Sequence, residues 1–147
     1  MSSRSSTVTG ERLAFARERL LAFDAAGDAA ARAREKRMKA LGSAVAGAVP
    51  ELRARGVTFS VCVWLAGGGE ERELAAWCCE WFFIARSLKQ LECPAPRKTL
   101  ECVQWLLERE PAELRFLERE TEALIEQIKD LAKGYALELK AAAGAGA

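Results

Sequence analysis

Apolar residues recur along the chain in steps of three and four, and the longest such run is Leu114, Leu117, Thr121, Leu124, Ile128, Leu131 and Tyr135. That spacing keeps one face of a helix apolar, so it predicts a helix between Glu110 and Leu139. Pro111 stands where a helix tolerates a residue without an N–H, and Glu113 follows in the first turn, where a carboxylate suits the helix dipole. At about 1.5 Å per residue this helix is roughly 40 Å long, the length of a rod or of a bundle's spine. Thr121 favours the spine: a small polar residue weakens a free-standing zipper but fits a close internal crossing.

Shorter stripes precede it. Thr9 is a plausible N-cap, and Leu13, Ala16, Leu20 and Phe23 mark one face of a first helix that Gly27 weakens. A second helix, from Asp28 to about Val49, turns Ala30, Leu41, Val45 and Val49 inward. Pro50 predicts a break or kink, with Glu51 to Arg55 continuing as a short helical turn until Gly56. From Val57 to Ala66 the alternation and the β-branched residues favour a strand, but nothing else in the chain could pair with one, so a short buried helix is expected. Gly67-Gly68-Gly69 reads as an inter-helix loop. Leu74, Trp77, Cys78, Trp81, Ala85 and Leu88 then stripe a helix from Glu70 to about Leu91, ended by Cys93-Pro94-Ala95-Pro96. Leu100, Val103, Leu106 and Leu107 belong to a fifth helix reaching Glu110. The fold class is therefore all-α, a compact bundle of about six helices around a long C-terminal spine. Residues 9–140 form one domain, between a polar N-terminal stretch (1–8) and an Ala/Gly tail (141–147) expected to be flexible.

Composition narrows the function classes. Half of the 147 residues are apolar, enough for one core, and no apolar run approaches the roughly 18 residues that a membrane span needs. The Ser-rich start lacks the order of a signal peptide, so a soluble cytoplasmic protein with no membrane partner is expected. Five cysteines, mostly in apolar surroundings (Cys62, Cys78, Cys79, Cys102), read as reduced thiols in a core rather than a disulfide framework. Histidine is absent, which removes imidazole acid–base catalysis, His-dependent nucleophiles and His metal ligands. No C-x-x-C pair suggests zinc, and the glycine triplet runs into Glu70 and Glu71, which repel phosphate. No cofactor, metal site or catalytic constellation is expected.

Charge adds a positive clue. A net charge of +1 hides a basic front: residues 1–40 hold nine Lys/Arg against five Asp/Glu, and the remainder thirteen against sixteen. The basic residues concentrate at Arg32, Arg34, Lys36, Arg37 and Lys39, and helical spacing puts Arg32, Lys36 and Lys39 on one side, nearly opposite Leu41 and Val45. Such a stripe suits a phosphate backbone read without regard to base sequence, or is simply a solvated face. Lys129 and Lys133, one turn apart on the last helix, have Glu126 and Asp130 placed to pair with them. Arg97 and Lys98 flank the proline loop. Phe83 lies off the Trp77/Trp81 stripe with Cys79, between Arg72 and Arg86, on a face that is either an exposed contact surface or the second side of a wrapped core.

The succession of a basic Ala-rich helix, Val49-Pro50-Glu51-Leu52-Arg53-Ala54-Arg55-Gly56-Val57, an apolar helix through Trp64, a helix bearing Glu80-Trp81, and Arg119-Glu120-Thr121-Glu122-Ala123-Leu124 running on to Leu131-Ala132 resembles the small subunit of type III-B CRISPR effector complexes, the Cmr five family. The resemblance covers about residues 9 to 139. Arg55-Gly56-Val57 replaces that family's Asn-Gly-Leu turn and Gln127-Ile128 stands where it often has Trp-Leu, which leaves the type III-A small subunit as an alternative. The resemblance implies a non-catalytic subunit, present in several copies in a ribonucleoprotein. It implies contacts with backbone and large subunits and with the guide RNA and target RNA backbone, with Arg32, Lys36, Lys39, Lys129 and Lys133 as RNA-contacting residues. A helical adaptor that binds only protein is the main competitor, and an enzyme built on carboxylates and cysteine the third.

Overall fold

A computed structural model describes residues 8–84 and 99–145. Six helices follow one another: α1 (Val8–Ala25), α2 (Ala31–Arg55), α3 (Val57–Ala66), α4 (Glu70–Ile84), α5 (Thr99–Leu107) and α6 (Pro111–Ala145), with no strand among the described residues. The frame is the antiparallel pair of α2 and α6, which share the most extensive packing of any two helices. Small residues let them approach: a Cβ placed on Gly42 would lie 3.9 Å from the Ala132 Cβ. The spine is a true helix of 35 residues, about 52 Å long at 1.5 Å per residue. Its start is capped by Glu113, whose Oε1 accepts the Glu110 N–H at 3.0 Å. Leu117, Thr121, Leu124 and Ile128 of the seam are buried, Leu114, Leu131 and Tyr135 are half-buried, and Ile125, Ala132 and Ala136 widen the buried face. Thr121 Oγ1 donates to the Leu117 carbonyl at 2.7 Å, which satisfies the hydroxyl inside the crossing.

Around this frame α1 lies against α6 and α4, with Phe15 tilted on Trp81 at 5.3 Å and Phe23 edge-on to Trp77 at 6.0 Å. Helices α3, α4 and α5 close the other side, where Phe82 meets Trp105 at 6.4 Å. The Val57–Ala66 segment is helical, as the lack of a strand partner required. Gly56 makes the corner before it: its φ of 82° is open to glycine, its N–H donates to Leu52 O, and the next N–H, of Val57, donates to Glu118 Oε2 on α6 at 3.1 Å.

Several expectations need correction. Helix α1 starts at Val8, so Thr9 lies inside it, and Phe15 takes the core position while Leu13 is 44% exposed. Helix α2 begins at Ala31, leaving Ala30 exposed in the linker, and runs through Pro50 unbroken. Pro50 and Ala46, whose carbonyl loses its i+4 donor, both face solvent, while Val49 and Leu52 anchor the helix to the core on either side. Helix α3 is not wholly buried, since Phe59 is 55% exposed and Cys62 faces outward. On α5 the core takes Cys102, Trp105 and Leu106, and Leu100 and Leu107 point out. The Ala run from 141 continues α6 to Ala145 instead of fraying at Leu139, because alanine has the highest helix propensity and needs no tertiary contact to extend a long helix. Cys79 is buried, so the α4 face it marks is the second side of a wrapped core. Ala85, Leu88, Arg86, Cys93, Arg97, Lys98 and the Phe83 side chain lie outside the described residues, as do residues 1–7.

Candidate nucleic-acid interface

The chain's cations divide by what already holds them. Arg34 and Arg37, counted with the basic front, are engaged inside the fold. Arg34 Nη2 donates to Asp24 Oδ2 at 2.8 Å and its Nε to Oδ1 at 3.1 Å, while the Tyr135 hydroxyl donates to the same carboxylate at 2.8 Å. These hydrogen bonds, Arg34's foremost, hold the Asp24 carboxyl below its usual range, and the bond to Asp24 raises the Tyr135 hydroxyl. Arg37 Nη2 donates to the Phe23 and Asp24 carbonyls at 2.8 and 2.6 Å and so closes the C-terminal end of α1. Arg12 is buried against Glu120, whose carboxylate also accepts the Trp81 indole N–H at 3.1 Å. None of these side chains is available to a ligand without unfastening α1.

Of the remaining cations of α2 and α6, Arg55 is paired with Glu51 and lies over Phe59, while a second set faces outward along the groove between the two helices. From α2, Arg32, Lys36 and Lys39 are all exposed and fall on one line at steps of four and three. Ser43 and Ala46 continue the line, small enough to leave a trough. Lys129, Lys133 and Lys140 border that trough from α6, because the antiparallel packing sets the start of α2 beside the end of α6. The groove encloses about 770 Å³, with Met38, Gly42, Ala132 and Ala136 on its floor and wall. Asp130 is the only carboxylate among the groove's described lining residues.

Of the five residues named from sequence, Lys39, Lys129 and Lys133 line this groove, while Arg32 and Lys36 are exposed on the same α2 line but outside its lining. Two of them are tethered: Lys39 Nζ to Glu35 Oε2 at 3.0 Å and Lys129 Nζ to Glu126 Oε2 at 3.0 Å. Their Lys side chains are 61% and 36% exposed, so these pairs exchange readily with water or with a stronger anion. Lys133 does not pair with Asp130, and Arg32, Lys36, Lys133 and Lys140 make no ion pair among the described residues. Lys140 falls just past the helix end expected at Leu139, although it stands seven residues after Lys133, on the same helical line.

Flexible ammonium groups along a trough neutralise a phosphate backbone without reading bases. The groove's described lining has no aromatic side chain for stacking and no thiol. Cys78 and Cys102 are buried, and their thiols are pushed above the usual range: Cys78 by burial, Cys102 by a thiol–thiol hydrogen bond with Cys79 and then by burial. Among the described residues no helix is long and apolar enough to cross a membrane.

No protein-family model matches the chain, and neither a curated protein nor a solved structure does.

Proposed function

We propose that this protein is a non-catalytic helical subunit of a ribonucleoprotein, which lies along an RNA backbone through the groove between α2 and α6. The observation that supports this reading is the convergence of Lys39 with Lys129, Lys133 and Lys140 on one groove, from helices about a hundred residues apart in sequence, with exposed Lys36 and Arg32 extending the α2 line beyond it. Internal structure accounts for Arg12, Arg34 and Arg37, but it requires nothing of Arg32, Lys36, Lys133 or Lys140. The sequence resemblance supplies the setting: a type III CRISPR effector complex, with guide and target RNA as the polyanion and backbone subunits, a large subunit and further copies of the chain as neighbours. In that setting RNA cleavage belongs to other subunits.

The test is binding of a fluorescein-labelled RNA duplex of guide–target length, followed by anisotropy across a salt series, with wild type and with Lys133→Glu/Lys140→Glu. Wild type should show log K falling linearly with log salt. The variant should bind roughly tenfold or more weakly, with a slope smaller by about two, one unit for each phosphate that is no longer neutralised. Salt-insensitive binding, no binding, or an unaffected variant overturns the reading. Wild type that binds no RNA yet captures an acidic amphipathic helix would favour the protein adaptor, for which the 62% exposed Leu137 at the groove's edge would be the anchor.

A further inference from the structure

The lysine groove does not end the exposed side of the α2/α6 pair. On α2 the line Arg32, Lys36, Lys39, Ser43, Ala46 continues through Pro50 to Arg53, and every residue on it is exposed. On α6 the line runs back from Lys140 through Lys133, Lys129, Glu126 and Glu122 to Arg119 and Arg115. A second groove, of about 420 Å³, opens on this line between Leu52 and Arg53 of α2 and Arg115, Arg119 and Glu122 of α6. Glu126 joins the two grooves: it borders the second and is ion-paired to Lys129 of the first.

The carboxylates of the second groove are committed. Glu122 takes both forks of Arg53, from Nε at 3.0 Å and Nη2 at 2.8 Å, which lowers the Glu122 carboxyl's pKa and raises that of the guanidinium. Glu118 accepts the Val57 N–H at the start of α3. Arg115 and Arg119 are exposed and make no ion pair among the described residues. The strip therefore has unpaired cations toward each end, Arg115 and Arg119 beside Glu118 at one and the lysine groove at the other, and a middle where Arg53–Glu122 and Lys129–Glu126 cancel. Arg119 and Lys133 are fourteen residues apart, about 21 Å along a helix of 1.5 Å rise. Arg115 and Lys140 are twenty-five apart, about 38 Å by the same rise. A rigid duplex reaches both ends only when it is itself at least as long as these spans.

We propose that Arg115 and Arg119 form a second phosphate-contact site, so that the chain grips one nucleic-acid backbone at two points, with the charge-balanced middle of the strip making no phosphate contact. Guanidinium groups suit the far contact, because the fork engages a phosphate bidentately where a lone lysine offers only a point charge. This proposal rests on the RNA-binding reading of the lysine groove and adds to it a minimum length: a short duplex fills the lysine groove alone, and a longer one reaches both ends.

The experiment uses the full chain with two RNA hairpins, of 5 and 16 base pairs, in anisotropy titrations over a salt series. Arg115→Glu/Arg119→Glu should weaken binding of the 16-base-pair stem roughly tenfold and reduce its salt slope by about two, and leave the 5-base-pair stem unaffected. Lys133→Glu/Lys140→Glu should weaken both. Arg115→Gln/Arg119→Gln, which keeps good helix formers at exposed positions, should show the same length-selective loss at smaller size and serves if charge reversal perturbs folding by circular dichroism. Wild-type binding to the long stem that the Arg115/Arg119 variants leave unchanged overturns the two-point grip alone. An equal loss on both stems also overturns it, as a whole-molecule charge effect. If wild type binds neither stem, the RNA-binding reading itself fails, and the second site with it.

Discussion

Replacing Asp24 by Asn tests whether the clasp between α1, α2 and α6 holds this fold together through charge. Asp24 is buried, and it receives the Arg34 fork and the Tyr135 hydroxyl at 2.8 to 3.2 Å. Asparagine keeps the shape but loses the charge, and its amide turns a donor toward the Arg34 donors. A hydrogen bond to a charged group contributes about 1.5–3 kcal/mol net. The Arg34 side chain is 33% exposed, so water takes over part of its interaction once the carboxylate is gone. The expected loss at neutral pH is therefore about 2–3 kcal/mol for the clasp as a whole, equivalent to about 4–12 °C in Tm for a domain of this size. The pH dependence carries a sign. The folded carboxyl's pKa lies below its unfolded value, so the clasp's contribution is complete above the unfolded pKa of about 3.9 and is lost as pH falls through the lower folded value. Urea denaturation followed at 222 nm should separate wild type from Asp24→Asn by a constant amount above about pH 5. The two should converge as pH falls below the unfolded pKa toward the lower folded one. Tyr135→Phe should cost about 1 kcal/mol in wild type and little in the Asp24→Asn background, a coupling that a double-mutant cycle reads directly. A difference under about 0.5 kcal/mol at pH 7 would refute the reasoning, as would one that persists undiminished at pH 2, since a charged hydrogen-bonded clasp predicts neither.

Arg12→Met should destabilise by about 3 kcal/mol, because it leaves Glu120 buried with only the Trp81 indole as donor, and Arg12→Met/Glu120→Leu should recover most of that loss in chemical denaturation. A double variant no more stable than the single one would mean that packing, not the uncompensated charge, sets the cost. Two glycines should respond in opposite directions to alanine. Gly42→Ala should stabilise by about 0.5–1 kcal/mol, since the new methyl meets Ala132 at ordinary contact distance in mid-helix. Gly56→Ala should destabilise by about 2–3 kcal/mol, because its φ of 82° excludes a side chain and the Cβ would lie 2.8 Å from Glu118 Oε2. Matching Tm shifts in both variants would refute that reading of the α2/α3 corner.

The number of helices, the Gly56 and Gly67–Gly69 junctions and the capped start at Pro111 are legible in the sequence, because helical period, caps and turn residues act within a few positions of one another. The apolar seam of α6 is legible for the same reason, and so is the helical state of Val57–Ala66, through the lack of any partner strand. Tertiary structure decided which side turns inward wherever a helix is apolar on more than one: Phe15 over Leu13 on α1, Cys102 and Trp105 over Leu100 and Leu107 on α5, and Cys62 outward on α3. Local spacing offers two solutions there, and only the neighbouring helices choose. Tertiary structure likewise carried α2 through Pro50, where core contacts on both sides outweigh one missing N–H on the solvent face.

The same division holds for the candidate interface. Spacing alone aligns Arg32, Lys36 and Lys39, and separately Lys129 and Lys133, because residues three and four apart share a helix face. Sequence could not tell those cations from Arg34 and Arg37, since what withdraws the latter is Asp24, the end of α1 and Tyr135, residues that reach them only through folding. Nor could it set Lys140 beside Lys39. The antiparallel approach of α2 and α6 over Gly42 and Ala132 does that, and joins two separate stripes into one groove.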